Sequence, residues 1–140
     1  RDEFEHWSND DDEFQQAIMA DSVMPVFDAG LVDLVDTDHQ VCEEVDLVPT
    51  LGHTPGHVSV CIRSGGAQAL ITGDFVHHPC QLARLHWASS ADYDKAEAEA
   101  TRRRVFAEHA DTPTLIIGTH FAGCTAGRVV RDGDAYRLAP

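Results

Sequence analysis

Three short segments of this 140-residue chain place a metal-competent side chain beside a glycine at one end of an apolar run. In Gly52-His53-Thr54-Pro55-Gly56-His57 two histidines stand four residues apart. Pro55-Gly56 between them forbids a helix, so both sit in a tight loop feeding a strand at Val58. A restricted loop of this kind is what a metal-binding histidine requires, although a lone histidine there is more often structural. In Ile71-Thr72-Gly73-Asp74 an apolar strand ends on a carboxylate. Such an aspartate either caps a turn or, having two oxygens with spare lone pairs, bridges two cations. Leu115-Ile116-Ile117-Gly118-Thr119-His120 repeats the scheme with histidine. Together the three form one constellation, because layered α/β sheets gather their ligand groups at strand ends.

The order Leu51-Gly52-His53-Thr54-Pro55-Gly56-His57, then Gly73-Asp74, then Gly118-Thr119-His120 resembles the later motifs of the metallo-β-lactamase superfamily, over about residues 45–121. Gly73-Asp74-Phe75-Val76-His77-His78 and Gly118-Thr119-His120-Phe121 most resemble its lactonase and methyl parathion hydrolase-like branch. The resemblance implies an αββα sandwich holding two divalent metal ions, usually zinc. It also implies a metal-bridging hydroxide that attacks a lactone, ester or phosphoester. Carried over residue by residue, His53 is the last histidine on the first metal, Asp74 bridges both metals, and His120 binds the second. His57 and Thr72 then support the ligand loops from behind. His77 is assigned beside Asp74 in catalysis, contacting substrate or donating a proton. Being adjacent, His77 and His78 point to opposite sides of an extended segment. His78, Trp87 and Phe121 are assigned to the substrate pocket.

One motif is missing. The superfamily's His-x-His-x-Asp-His run lies upstream of the three found here, and this sequence has none; His6 and His39 are isolated. The chain also begins at Arg1 without a methionine or a signal-like segment, which suits a piece of something longer. Residues 1–140 are therefore expected to form the C-terminal half of a metallo-β-lactamase-type sandwich, inactive alone. The other half would come from upstream or from another chain, and a homodimer is a further candidate assembly. An apolar sheet face should be left uncovered. The leading expectation is a metal-dependent hydrolase of a small-molecule substrate. The alternatives are a non-catalytic binding or assembly module, a glyoxalase-like thioesterase, or a mononuclear-iron persulfide dioxygenase of the same fold.

The elements that must position these residues follow from periodicity. Alternation predicts strands at 57–62, 69–72, 114–118 and in a 128–138 hairpin, with shorter ones around Val32, Leu34-Val35, Val41 and Val45-Asp46-Leu47-Val48. Residues 2–7 and 13–20 read as helices, the acidic run 8–13 as a capping loop, and Pro25 to Gly30 as a second loop. An Ala-rich helix is expected over about 92–110, capped by Ser90 or Asp92, with Arg102-Arg103-Arg104 on its solvated face. Strands outnumber helices, giving an α+β or layered αββα class.

Composition narrows the partners. There are 24 Asp plus Glu against 10 Lys plus Arg, a net charge of −14. That excess disfavours nucleic acid and anionic membrane surfaces. Four widely spaced cysteines match neither a zinc finger nor a disulfide framework, and reduced thiols in a cytoplasmic protein are expected.

Overall fold

The computed structural model describes residues 1–140. Apolar alternation builds β1 (Gln40–Cys42), β2 (Val45–Pro49), β3 (Val58–Ser64), β4 (Ala67–Ile71), β5 (Leu115–Ile117), β6 (Ala126–Asp132) and β7 (Ala135–Ala139). These lie in chain order across one seven-stranded sheet. All neighbours are antiparallel except β4 and β5, which run parallel. A parallel pair needs a crossover. Residues 72–114 provide it, with the short helix α4 (Cys80–Ala83) and the long helix α5 (Lys95–His109).

The two faces of the sheet differ. Cys61, Leu70 and Ile116 are cross-strand partners and lie fully buried. With Val105 and Phe106 of α5, Phe75, Val76, Leu82 and Leu85 of the crossover, Phe121 and Val129, they form the hydrophobic core. One residue out of phase, Val60–Ile71–Ile117 and Ile62–Ala69–Leu115 form rows on the other face. None of these six is buried. The mixed α/β class is as expected: helices cover one sheet face, and an apolar second face lacks a covering layer.

The N-terminal residues form α1 (Asp2–Ser8) and α2 (Glu13–Ile18); Asp12 caps α2 by accepting the N–H groups of Phe14 and Gln15. The chain does not leave the helix at Pro25, as its sequence suggests. A π-helical turn, Met19–Val23, leads into α3 (Met24–Asp28). Pro25 occupies the first turn of α3, where a missing N–H costs nothing. The expected strands around Val32 and Leu34-Val35 are also absent. The carbonyls of Val35 and Leu34 instead accept from the amino terminus and the guanidinium of Arg1, at 2.7 and 3.0 Å. Helix α5 is capped by Asp94, through the N–H groups of Ala96 and Glu97, and not by Ser90 or Asp92. All four cysteines are free. No helix is long and apolar enough to cross a membrane.

Candidate metal centre

His53 owes its position to the backbone around it. Gly52 has φ of +117°, in a region that favours glycine, and packs directly against the α5 backbone at Ala98. Its carbonyl accepts from Asp94 N–H at 2.9 Å, and the His53 carbonyl accepts from Tyr93 N–H at 3.0 Å. Thr101 of α5 donates its hydroxyl to the Leu51 carbonyl at 2.7 Å. The loop is thereby moored to the start and middle of one rigid helix.

Asp74 follows β4 by way of Gly73, whose φ is +57°. A Cβ on Gly73 would come within 2.8 Å of the His57 ring, so the glycine lets the two loops touch. His57 joins them. Its Nε2 accepts from Asp74 N–H at 2.8 Å. The proton therefore belongs on Nδ1, which donates to the Thr50 carbonyl at 2.9 Å. Burial lowers the His57 pKa below 6.5 by more than the Thr50 carbonyl restores, keeping the ring neutral. Thr72 ties in the third loop: its hydroxyl accepts from Thr119 N–H at 3.3 Å, and its carbonyl accepts from the Ser59 hydroxyl at 2.8 Å. His57 and Thr72 both sit behind the loops that carry the candidate ligands.

On this support His53 Nε2 lies 3.5 Å from Asp74 Oδ2, and His120 Nε2 lies 3.0 Å from Asp74 Oδ1. These spacings are close to the roughly 3.3 Å separating two donors that each sit ~2.0–2.1 Å from one tetrahedral zinc. The sheet thus brings the three sequence-assigned ligands together at the ends of its central strands. Burial alone would raise the Asp74 carboxyl, but the His120 hydrogen bond and the charges of His120, His53 and His77 hold it below the usual carboxylate range.

His77 stands between the two histidines, with its ring centroid 5.0 Å from that of His53 and 5.0 Å from that of His120. Its Nδ1 is buried with no hydrogen-bond partner. Burial, then the charge of His53, lowers its pKa. One donor atom each from Asp74, His77 and His120 lie within 4.8 Å of one another. The same holds for His53, His77 and Asp92. A donor set of imidazoles and a carboxylate, with an orphaned ring nitrogen among them, fits a zinc-type ion.

The assigned pocket residues do not converge on this centre. His78 is exposed and turned back, its Nδ1 accepting from Cys80 N–H at 3.1 Å. Trp87 is half exposed, and its carbonyl is held by the Gln81 side chain. Phe121 belongs to the hydrophobic core, not to a pocket wall; Gly118 lacks a side chain, and the ring folds back onto it.

Two further residues went unrecognised in the sequence. Asp92, assigned as a helix cap, is buried and places Oδ1 3.1 Å from His53 Nδ1. Arg102, assigned to a solvated face with Arg103 and Arg104, is completely buried. Arg103 does lie at the surface, paired with Glu99. The three arginines are consecutive, so a helix spreads them over about 200°, and only the first faces inward.

In the metal-free chain the neutral His57 predicts a pH response. Its folded pKa is lowered, so its contribution to stability is complete above about 6.5 and is lost as pH falls through the folded value. Urea midpoints measured between pH 7.5 and 5.5 should fall toward acid, and His57→Gln should flatten that slope. An unchanged slope in the variant would contradict the assignment.

The family model described as the metallo-beta-lactamase superfamily matches residues 1–120. Among solved structures, the hydrolase AbOPH in the beta lactamase superfamily superposes with a TM-score of 0.83 at 23% identity, over 100% of this chain and 53% of that one. AidC, a dizinc quorum-quenching lactonase in complex with a product, gives 0.78 at 20% identity, over 100% and 52%. An N-acyl homoserine lactone hydrolase with N-hexanoyl-L-homoserine at its catalytic metal center gives 0.56 at 22% identity, over 74% and 40%. The chain therefore spans about half the length of the first two structures. No curated protein matches it.

Proposed function

Because the chain belongs to the metallo-beta-lactamase superfamily, we propose that it is the C-terminal half of a metal-dependent hydrolase acting on a small lactone, ester or phosphoester. The observation that carries the reading is the convergence of His53 Nε2 and His120 Nε2 on the two oxygens of Asp74. His53, Asp74 and His120 would hold two divalent ions, most simply zinc, with Asp74 between them. When bound, such ions supply Lewis acidity and acidify a water near neutral pH.

The chain's own residues do the rest. Asp74 sets the separation of its two histidine partners. His57 and Thr72 keep the three loops in register, so the ligands meet without reorganisation. His77, standing between His53 and His120, is placed to contact the substrate or to pass a proton to a leaving oxygen. Three ligands are too few for a dinuclear centre, so activity belongs to the assembled domain. The uncovered rows Val60–Ile71–Ile117 and Ile62–Ala69–Leu115 are where its other half would pack, from upstream or from another chain. Free cysteines suit a cytoplasmic setting.

The test is metal analysis and a substrate panel on the complete domain. About two zinc-type ions per domain, with hydrolysis of lactones or esters that stops on chelation, is expected. A single iron with thioester or persulfide turnover would move the protein to the thioesterase or dioxygenase branch. Turnover undiminished after complete metal removal would overturn the metal-dependent reading.

A further inference from the structure

Arg102 is a fully buried cation on a helix whose other buried residues are Ala98, Thr101, Val105, Phe106 and His109. Burying a guanidinium is costly, and its charge cannot be shed by deprotonation. Its contacts say what it holds. Nε donates to the Leu85 carbonyl at 2.9 Å, and Nη1 donates to the Phe75 carbonyl at 3.2 Å and to Asp92 Oδ2 at 3.4 Å. Nη2 is buried without a partner. Phe75 directly follows Asp74, and Asp92 touches His53. One guanidinium thus spans the supports of two candidate ligands.

Asp92 is divided between two tasks. Oδ2 accepts from Ser89 N–H at 2.9 Å and from Arg102, and Oδ1 is left for His53 Nδ1. With Arg102 beside it the carboxylate is an acceptor only, so His53 Nδ1 must donate. The lone pair of His53 is then on Nε2, aimed at Asp74 Oδ2 at 3.5 Å. In the neutral ring two acceptors then face each other at that distance, a space suited to a cation. The opposite tautomer would point an N–H into the same space and block a metal.

We propose that Arg102 and Asp92 are positioning residues that lock His53 in its Nδ1–H tautomer and so prepare Nε2 to bind a metal ion. The proposal rests on the reading of His53 as a ligand but is tested separately from it. Outer partners of metal-bound histidines act in this way in general, and losing one costs typically 10–100-fold in metal affinity. What is particular here is the buried arginine that dictates which way the carboxylate works. A role confined to packing would require only that the volume be filled.

The experiment is long-range proton–nitrogen NMR on the metal-free 140-residue chain, together with zinc affinity of the complete domain by chelator competition. Asp92→Asn preserves shape but can turn its amide toward His53 while its oxygen accepts from Ser89 and Arg102. The expected result is a switch of His53 to the Nε2–H tautomer and a loss of about 10–100-fold in zinc affinity. Arg102→Lys, which keeps the charge but not the three-way reach, should give a mixed tautomer and a smaller loss. If Asp92→Asn folds and His53 keeps its proton on Nδ1, the proposal is wrong, whatever happens to affinity. Should Arg102→Lys fail to fold, the Asp92→Asn spectrum alone decides. His53→Ala serves as the control on the ligand reading: unchanged zinc affinity in that variant would remove His53 from the metal site while leaving the tautomer result standing.

Discussion

On the proposed function, Asp74→Asn should lower hydrolysis by the assembled domain by about a thousandfold, since several kcal/mol of metal-derived stabilisation would be lost at ~1.4 kcal/mol per factor of ten. Asparagine retains one oxygen and replaces the other by an N–H donor. That donor must face either His53 Nε2 or His120 Nε2, the two atoms Asp74 now meets at 3.5 and 3.0 Å. The proposed bridge would be broken on one side whichever way the amide turns, and a negative charge would be lost from between the two proposed cations. The fold should survive, because the contact to His57 is made by the Asp74 backbone N–H and the side chain is partly exposed. Steady-state kcat/KM, metal content and urea unfolding measured together check this. Wild-type kcat/KM with a full metal complement would remove Asp74 from the centre; lost activity with lost stability would point to folding instead.

The second large effect is on stability. Gly52→Ala should destabilise the chain by about 2–5 kcal/mol, combining ~1–2 for a side chain forced into a left-handed conformation with ~1–3 for overpacking. The φ of +117° supplies the first part, and the Ala98 and Glu97 backbone that a Cβ would strike supplies the second. The clash is with a helix backbone, which cannot swing aside as a long side chain can. The loop must therefore lift from α5, carrying His53 with it. Denaturant unfolding should show the loss, and metal affinity should fall with it. A midpoint equal to wild type would mean that the loop does not pack on α5 as described.

Much of the site was legible in the sequence, and the reason is local. Gly52, Gly73 and Gly118 punctuate apolar runs, and a metal-competent residue beside each punctuation is visible without knowing the fold. Placing His77 and His78 on opposite sides required only the geometry of an extended segment. Asp92 and Arg102 were hidden for the converse reason. An aspartate just ahead of an Ala-rich helix looks like its cap, and the true cap, Asp94, lies two residues on. An arginine inside Arg102-Arg103-Arg104 looks solvated; only the docking of α5 beneath the crossover decides which of the three turns inward. Local patterning misled at the N-terminus as well. Pro25 reads as a breaker, yet it begins α3, and Leu34-Val35 reads as a strand although Arg1 takes its carbonyls. For Asp92, Arg102 and Leu34-Val35 the deciding partner lies far away in the chain.

The parallel pairing of β4 and β5 carries a consequence for how the molecule is held in time as well as in space. Asp74 and His120 end adjacent strands but stand 46 residues apart in the chain. Bringing them together closes a long loop, and that closure is an entropic cost that local hairpins such as β3–β4 do not bear. An ion held by these two side chains would offset that cost by its own binding free energy, because the unfolded chain does not keep the two groups together. The proposed centre would thus be a clasp on the parallel joint of the sheet, and the chain that assembles it would also be the chain it fastens.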